Sequence, residues 1–175
     1  VEYAAAAGLR LELTYFDQEI EDEIFFDLSG FSGYLQSLGT SASSGVEIAF
    51  EVPLNERWVI LGNATYNDTE NTEGLQRIRR PEQLGNLGVQ FRSADQNLRM
   101  LANYRWSSDA VDEIFGVGRV PLDDYAVFDI SGAYSFSETI EVYARLENAF
   151  DEDYQEVVGF NTPGRAGYGG VRIRF

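Results

Sequence analysis

The sequence predicts an all-β fold, a transmembrane antiparallel up-and-down β-barrel with about eight strands in its 175 residues. Three observations lead to this prediction. Apolar and polar residues alternate at strand period in segment after segment. Short and long connections between these segments follow one another in turn. The chain ends on Phe175, after Val171 and Ile173 have alternated with arginines, and a bulky aromatic end indicates an anchored strand because loose termini fray.

Eight segments carry the alternation. In 45–52, for example, Val46, Ile48 and Phe50 fall on one face, because successive side chains of a strand point to opposite sides. The segment 58–66 is less regular, since Val59 and Leu61 interrupt its polar side. The predicted strands are 9–15, 45–52, 58–66, 87–92, 98–106, 128–136, 140–146 and 164–175.

The connections between these strands fall into two kinds. Residues 53–57, 93–97 and 137–139 have the length and composition of hairpin turns. Between them lie long polar segments, 22–41, 67–83, 107–124 and 151–163. All the long loops therefore belong at one end of the barrel, as in membrane barrels with short periplasmic turns and long extracellular loops.

Each predicted strand has one apolar and one charged face. The residues predicted to face lipid are Val46, Ile48, Phe50, Leu98, Met100, Ala102, Val171 and Ile173. The charges predicted to line the lumen are Arg10, Glu12, Glu47, Arg99, Glu141, Arg145, Arg172 and Arg174. These charges have mixed sign, so they can pair with one another inside a lumen, where burial without partners is costly. Periodicity alone leaves one alternative, a soluble barrel whose charged face meets water.

Aromatic residues are predicted to form two girdles at the membrane surfaces, where amphipathic rings prefer to lie. Trp58, Phe91, Phe136 and Phe175 lie next to the short turns or the terminus. Tyr104 and Trp106 lie toward the long loops. The alternative is that these rings fill a soluble core.

Composition excludes several classes of function. No stretch approaches the roughly 20 apolar residues of a membrane helix, so a membrane would be crossed by strands. The absence of cysteine and histidine removes thiolate metal sites and histidine-dependent catalysis, and we expect neither an enzyme nor a cofactor. A formal charge of −16 argues against nucleic-acid binding. Acidic clusters at 17–23, 109–113, 123–124 and 151–153 have the chemistry of a Ca²⁺ site, but we interpret them as solvated loop acids.

Two sets of motifs carry a resemblance to a known family. Near the carboxyl end the sequence reads NAFDEDY over 148–154 and NTPGR over 161–165, just before the last strand. Upstream, TYF at 14–16 and RRP at 79–81 occupy matching positions. In this order and spacing the motifs resemble the barrel of TonB-dependent outer-membrane receptors over nearly the whole chain.

The resemblance implies a place in the Gram-negative outer membrane and a role in uptake of bulky ligands such as iron-siderophores, haem or cobalamin. It also implies partners: membrane lipid, an assembly machinery that reads the terminal strand at Phe175, and a plug and further barrel strands. The sequence has no plug, so residues 1–175 are expected to be a single barrel domain or the last third of a larger barrel, not competent alone for energised transport. The alternative is a self-closing eight-stranded barrel with a structural role.

Overall fold

The computed structural model describes residues 1–4, 8–27 and 30–175, which form thirteen strands. In chain order they are β1 (Glu2–Ala4), β2 (Arg10–Glu21), β3 (Ile24–Phe26), β4 (Tyr34–Gln36), β5 (Thr40–Pro53), β6 (Trp58–Glu70), β7 (Gln83–Arg92), β8 (Leu98–Ser108), β9 (Val111–Ile114), β10 (Gly118–Pro121), β11 (Tyr125–Ser135), β12 (Ile140–Glu147) and β13 (Ala166–Ile173). Within these ranges no helix is long and apolar enough to cross a membrane.

Nine of these strands form one antiparallel sheet in the order β1-β2-β5-β6-β7-β8-β11-β12-β13. Each strand pairs with the next large strand along the chain, which is up-and-down topology. All eight predicted strands are present, so the predicted all-β antiparallel fold is confirmed. The ninth strand, β1, extends the sheet by pairing with β2, with Tyr3 opposite Leu11.

The sheet is open. Among the described residues no strand pairing joins β1 to β13. Both of these strands run from the long-loop end toward the short-turn end, so joining them would create a parallel pair. Up-and-down barrels close with an even number of antiparallel strands, and β1 already occupies the edge of β2 that β13 would need. A closed eight-stranded barrel, one of the two arrangements expected from the sequence, is therefore wrong for this structure.

The two ends of the sheet differ as predicted. At one end the turn between β5 and β6 is closed by the Asn55 side chain, whose Oδ1 accepts hydrogen bonds from the backbone N–H groups of Arg57 (2.9 Å) and Trp58 (3.1 Å). The turn between β7 and β8 places Gln96 in the left-handed region, at φ 59°. The four long connections lie at the other end.

Two of the long connections contain hairpins that the sequence analysis did not predict. β3 pairs with β4 in the first, and β9 pairs with β10 in the third. These strands have only three or four residues, too few to display an alternation that can be recognised. Residues 28 and 29 of the first predicted loop lie outside the described part of the chain.

Most strands continue further toward the long-loop end than predicted. Val46 pairs with Tyr66, and the next pair on the same face, one step outward, is Ser44 with Asp68. The apolar alternation therefore stops while the backbone hydrogen bonds continue. The sequence pattern marks the end of the apolar face, which precedes the end of each strand. The last strand is shorter than predicted, since residues 164–165 and 174–175 lie outside β13.

Several large rings lie across glycines on the neighbouring strand. Trp106 is directly opposite Gly85, and Tyr143 is directly opposite Gly170. A Cβ added at Gly170 would lie 2.7 Å from Cζ of Tyr143, so no larger residue fits beneath that ring. Such ring-over-glycine pairs allow a sheet to curve and fix its register.

The sheet has little buried apolar interior. Among the described apolar side chains, those that are buried are Val127 and Tyr154. Many large apolar side chains of the strands are instead well exposed, including Leu13, Leu87 and Val171. An exposed apolar surface of this extent marks a face that contacts another apolar phase or partner.

Candidate functional site

The strand pairing places apolar side chains from neighbouring strands on one face of the sheet. A single row of directly paired residues runs across five strands of this face, through Phe50, Gly62, Leu87, Tyr104 and Phe128. All eight residues predicted to contact lipid lie on this face, three on β5, three on β8 and two on β13. That this face meets lipid stays a prediction.

The predicted girdle residues lie on the same apolar face, at its two ends. Near the short turns, Trp58 packs against Phe91 with ring centroids 4.6 Å apart, and Phe136 packs against Tyr134 at 4.8 Å. Toward the long loops, Tyr104 and Trp106 stack at 5.9 Å. Phe175 follows β13 and is fully exposed in this chain.

The opposite face carries the predicted lumen charges, and the structure brings some of them together. Glu141 is almost fully buried and accepts hydrogen bonds from Arg172, at 2.6 Å, and from Arg99. Arg145 pairs with Glu147 on its own strand, at 3.1 Å.

The remaining predicted charges are not joined to that cluster. Arg10 lies 3.9 Å from Glu51, on the neighbouring strand β5. Glu12 lies opposite Ala49 and Glu2, and Glu47 lies opposite Thr14 and Thr65. Arg174 lies beyond β13, where its backbone N–H bonds to the carbonyl of Thr139. The expected pairing of all these acids with all these arginines depended on closure into a narrow barrel, which the open sheet does not provide.

At the long-loop end of the polar face, four side chains form a connected network. The Arg105 guanidinium donates to the Tyr154 hydroxyl (3.0 Å) and to the Glu156 carboxylate (3.0 Å). The Tyr125 hydroxyl donates to the same carboxylate (3.0 Å), and its ring lies 4.2 Å from that of Tyr154. Arg105 also lies over both tyrosine rings, at 5.6 and 5.7 Å. Two aromatic faces and a carboxylate thus fix the guanidinium in place.

The motif at 148–154 explains how the last loop reaches this network. Asn148 is buried and adopts φ 47°, a left-handed conformation that asparagine tolerates. Its Nδ2 donates to the carbonyl of Glu152, and its Oδ1 accepts from the Glu152 N–H, both at 2.8 Å. This paired contact turns the chain back over the sheet and delivers Tyr154 to Arg105.

Asp151 fixes the other end of the same loop. Its Oδ1 accepts a 2.7 Å hydrogen bond from the backbone N–H of Arg165, and its Oδ2 lies 3.5 Å from the Arg165 guanidinium. The backbone hydrogen bond, together with the nearby positive charge, holds the pKa of Asp151 below its usual value.

Asp112 joins three of the long loops. This carboxylate is fully buried, and it accepts hydrogen bonds from Arg79 Nε (2.9 Å), from its neighbour Glu113 N–H (2.8 Å) and from Val158 N–H (2.8 Å). Its three partners belong to the β6–β7 loop, the β9–β10 hairpin and the β12–β13 loop. The backbone N–H of Arg79 also donates to the carbonyl of Val111, at 2.7 Å.

Further contacts connect the first long loop to the second. Arg77 forms an ion pair with Glu23, and the Ser37 hydroxyl donates to Thr72 at 2.9 Å. The loops at this end are therefore joined side by side by polar contacts between them.

A cavity of about 370 Å³ lies beneath these loops, on the polar side of the sheet. Its walls combine apolar, aromatic and charged side chains; they include Arg79, Leu84, Arg105, Tyr125 and Glu156. This volume and mixture are typical of a small-molecule site, in which a few polar groups fix the orientation of a ligand. In the described ranges, no group of three or more acidic side chains is placed to hold a metal ion.

Sequence reasoning missed most of this site. Asp112 and Glu156 look like ordinary loop acids in the sequence, and Tyr125 looks like the start of a strand. Tyr154 and Arg79 carried a signal, because they lie within the recognised motifs at 148–154 and 79–81. Nothing in the sequence indicates that residues 20 to 51 positions away converge on Arg105.

An antiparallel up-and-down sheet with one apolar face, one charged face and all its long loops at one end has the architecture of outer-membrane β-barrels. The profile of the family described as "TonB dependent receptor-like, beta-barrel" matches residues 1–149. The chain belongs to this family, which is located in the bacterial outer membrane.

Comparison with individual proteins agrees with this assignment. The chain is 24% identical to the vitamin B12 transporter BtuB of Vibrio cholerae serotype O1 over 178 residues, which cover 99% of the chain but 28% of the transporter. Its fold resembles that of the pyoverdine outer membrane receptor FpvA from Pseudomonas aeruginosa PAO1, with a TM-score of 0.82, 17% identity and coverage of 99% and 28% of the two chains.

A third similar protein is the ferric-catecholate import receptor Fiu from K12 E. coli. Its TM-score is 0.74, with 21% identity and coverage of 99% of this chain and 26% of Fiu. These relatives are transporters and receptors. The chain spans little more than a quarter of their length.

Replacing Asp112 with asparagine should loosen the long loops without unfolding the sheet. The change removes the charge that pairs with Arg79 and places an amide donor against groups that donate, at a cost of about 1–3 kcal/mol to the loop contacts. Hydrogen exchange at the Val158 N–H should become faster. The control is Asp123→Asn, an exposed acid of the same loop. Unchanged protection of Val158 would contradict the role given to Asp112.

Proposed function

We propose that residues 1–175 form a segment of the barrel wall of a TonB-dependent receptor that takes up a siderophore-, haem- or cobalamin-type ligand. The main support is the open, two-faced sheet: its edge strands β1 and β13 lack partners among the described residues, and unpaired strand edges are not stable in hydrocarbon. Further strands of the same wall would satisfy them. The chain alone is then not competent for energised transport, and it has no enzymatic role.

This proposal assigns each described strand of residues 1–175 to a part of the barrel. The described strands belong either to the wall or to hairpins in its loops, so a plug would come from sequence outside this range. The structural alternative, a small barrel that closes on itself, receives no support from the open sheet.

The apolar face is proposed to contact lipid, and the two groups of rings are proposed to mark the membrane surfaces. On β6 the apolar face runs from Trp58 to Tyr66. These nine residues match the roughly 9–11 residues that a tilted strand needs to cross the hydrocarbon core of a bilayer. The change from Tyr66 to Asp68 on the same face then marks the outer surface.

Replacing Met100 with arginine should destabilise the full-length barrel in lipid by about 2–4 kcal/mol, because the side chain would place a charge in the bilayer near its midplane. The free energy of unfolding in denaturant measures the effect. The control is Asn103→Arg, on the same strand but on the polar face. Equal losses in the two variants would contradict the assignment of faces.

The long-loop end is proposed to capture the ligand. Acidic residues outnumber arginines strongly in these loops, so the mouth should carry a negative potential that attracts cationic groups and metal chelates. Below the loops, the 370 Å³ cavity offers the Arg105 guanidinium, which lies over the rings of Tyr125 and Tyr154. The proposed route therefore runs from electrostatic attraction to a mixed aromatic and polar site.

Uptake of labelled ferric siderophores, haem and cobalamin by cells that make the full-length protein tests this function. One ligand class should accumulate in cells with TonB and fail to accumulate without it, and its capture should weaken as ionic strength rises. Arg105→Gln should reduce binding by about tenfold, a loss of roughly 1.4 kcal/mol. Arg10→Gln, on the same face but away from the cavity, is the matched control. TonB-independent uptake, or none in correctly folded protein, would overturn the proposal.

The terminal residue is proposed to act in assembly, as the part of β13 that the barrel assembly machinery reads. Deleting Phe175 should sharply lower the yield of inserted protein but leave the stability of already folded barrel nearly unchanged, since the side chain is exposed. Phe175→Tyr retains an aromatic ring and should insert normally. Quantitative comparison of folded protein in outer membranes measures both variants. Equal yields with and without Phe175 would contradict this role.

A further inference from the structure

The short-turn end of the polar face contains a second, larger concavity, of about 810 Å³. Its charged lining is mostly cationic, with two carboxylates, Glu56 and Glu141, and five guanidiniums, Arg57, Arg92, Arg99, Arg145 and Arg172. The chain as a whole has 13 basic and 29 acidic residues. A local excess of positive charge is therefore opposite to what the composition alone would produce.

Some of the arginines of this concavity lie next to other arginines. Arg92 lies directly opposite Arg99 in the β7–β8 register, an arrangement of like charges that destabilises a sheet unless a negative charge lies nearby. Glu141 already forms ion pairs with two guanidiniums, those of Arg99 and Arg172. Within the part of the chain that the structure describes, neither Arg57 nor Arg92 forms an ion pair. The concavity thus has guanidinium groups in excess of its carboxylates.

Two of the guanidiniums are held in position by aromatic rings. Arg145 lies 4.8 Å from the centroid of Tyr168, and Arg172 lies 5.8 Å from that of Tyr143. At these distances the positive charge is attracted to the face of the aromatic ring. Arginine recognises carboxylates and phosphates through two parallel hydrogen bonds. All basic residues of the chain are arginine, none lysine.

We propose that this arginine-lined concavity is an oxyanion-binding site that takes a carboxylate or phosphate group with more than one negative charge. It is separate from the cavity beneath the long loops, which lies at the other end of the strands. Its volume is that of a small-molecule site. The oxyanion comes either from a soluble molecule or from acidic side chains of another part of the same receptor.

The first arm of the test uses pyrophosphate as the probe and the full-length protein in detergent at low ionic strength. Calorimetric titration should give saturable binding of one pyrophosphate per protein. Arg92→Gln should weaken this binding at least tenfold, and Arg92→Lys should have an intermediate effect because it keeps the charge but loses the planar fork. Arg10→Gln is the control, since Arg10 lies on the same face but pairs with Glu51 outside the concavity.

The second arm distinguishes the source of the oxyanion and does not depend on the folding of any variant. Phenylglyoxal modifies accessible arginines, and mass spectrometry reports the rate at Arg57, Arg92 and, as a reference, Arg174. Protection of Arg57 and Arg92 that requires added pyrophosphate supports a site for a soluble oxyanion. Protection without any added anion, together with no pyrophosphate binding, supports a site filled by carboxylates of the protein itself.

Two results would overturn the proposal. One is modification of Arg57 and Arg92 at the rate of Arg174 with and without pyrophosphate. The other is an equal loss of binding in Arg92→Gln and Arg10→Gln, which would indicate attraction by the overall field and not by a site.

Discussion

Complete pairing of backbone N–H and C=O groups is the constraint on which the rest of this structure depends. In hydrocarbon an unpaired group costs several kcal/mol, so each strand must lie beside the next along its whole apolar length. This requirement produces the up-and-down order and the short turns at one end. It also makes β1 and β13, the two edges of the sheet, the strands with the fewest pairing partners among the nine of the described sheet.

Because the backbone groups pair with one another, the side chains of the two faces of the sheet can differ in polarity. The row through Phe50, Leu87 and Phe128 contains no charge, while the adjacent positions of the same strands hold arginines, acids and amides. The polar face is itself divided. Arg105 at the long-loop end is held by tyrosines and a carboxylate. At the short-turn end, by contrast, Arg92 on β7 lies directly opposite Arg99 on β8. The ends of one sheet therefore offer two different environments to a ligand.

The strands were predictable because alternation is a local property, visible within seven or eight residues. Val46 and Met100 could be assigned to the same face from parity and register alone. Closure was left open by the sequence, since eight strands have the parity to close while residues 1–3 read like the end of a preceding strand; the pairing of β1 with β2 decides against it. The site at the long-loop end could not be predicted from the sequence for a related reason. Arg105, Tyr125 and Glu156 come from three elements, and no local pattern relates them to one another.

Asp112 has a kinetic consequence for these loops. One buried carboxylate accepts hydrogen bonds from Arg79, from its own hairpin and from Val158. If one of these three loops moves away from the others, the hydrogen-bonding groups at this carboxylate lose their partners. Small independent excursions of each loop are therefore suppressed, and the three loops are expected to open together. A ligand enclosed beneath such a cover would be released only when these loops move together, and the contacts of Asp112 would be among those that break.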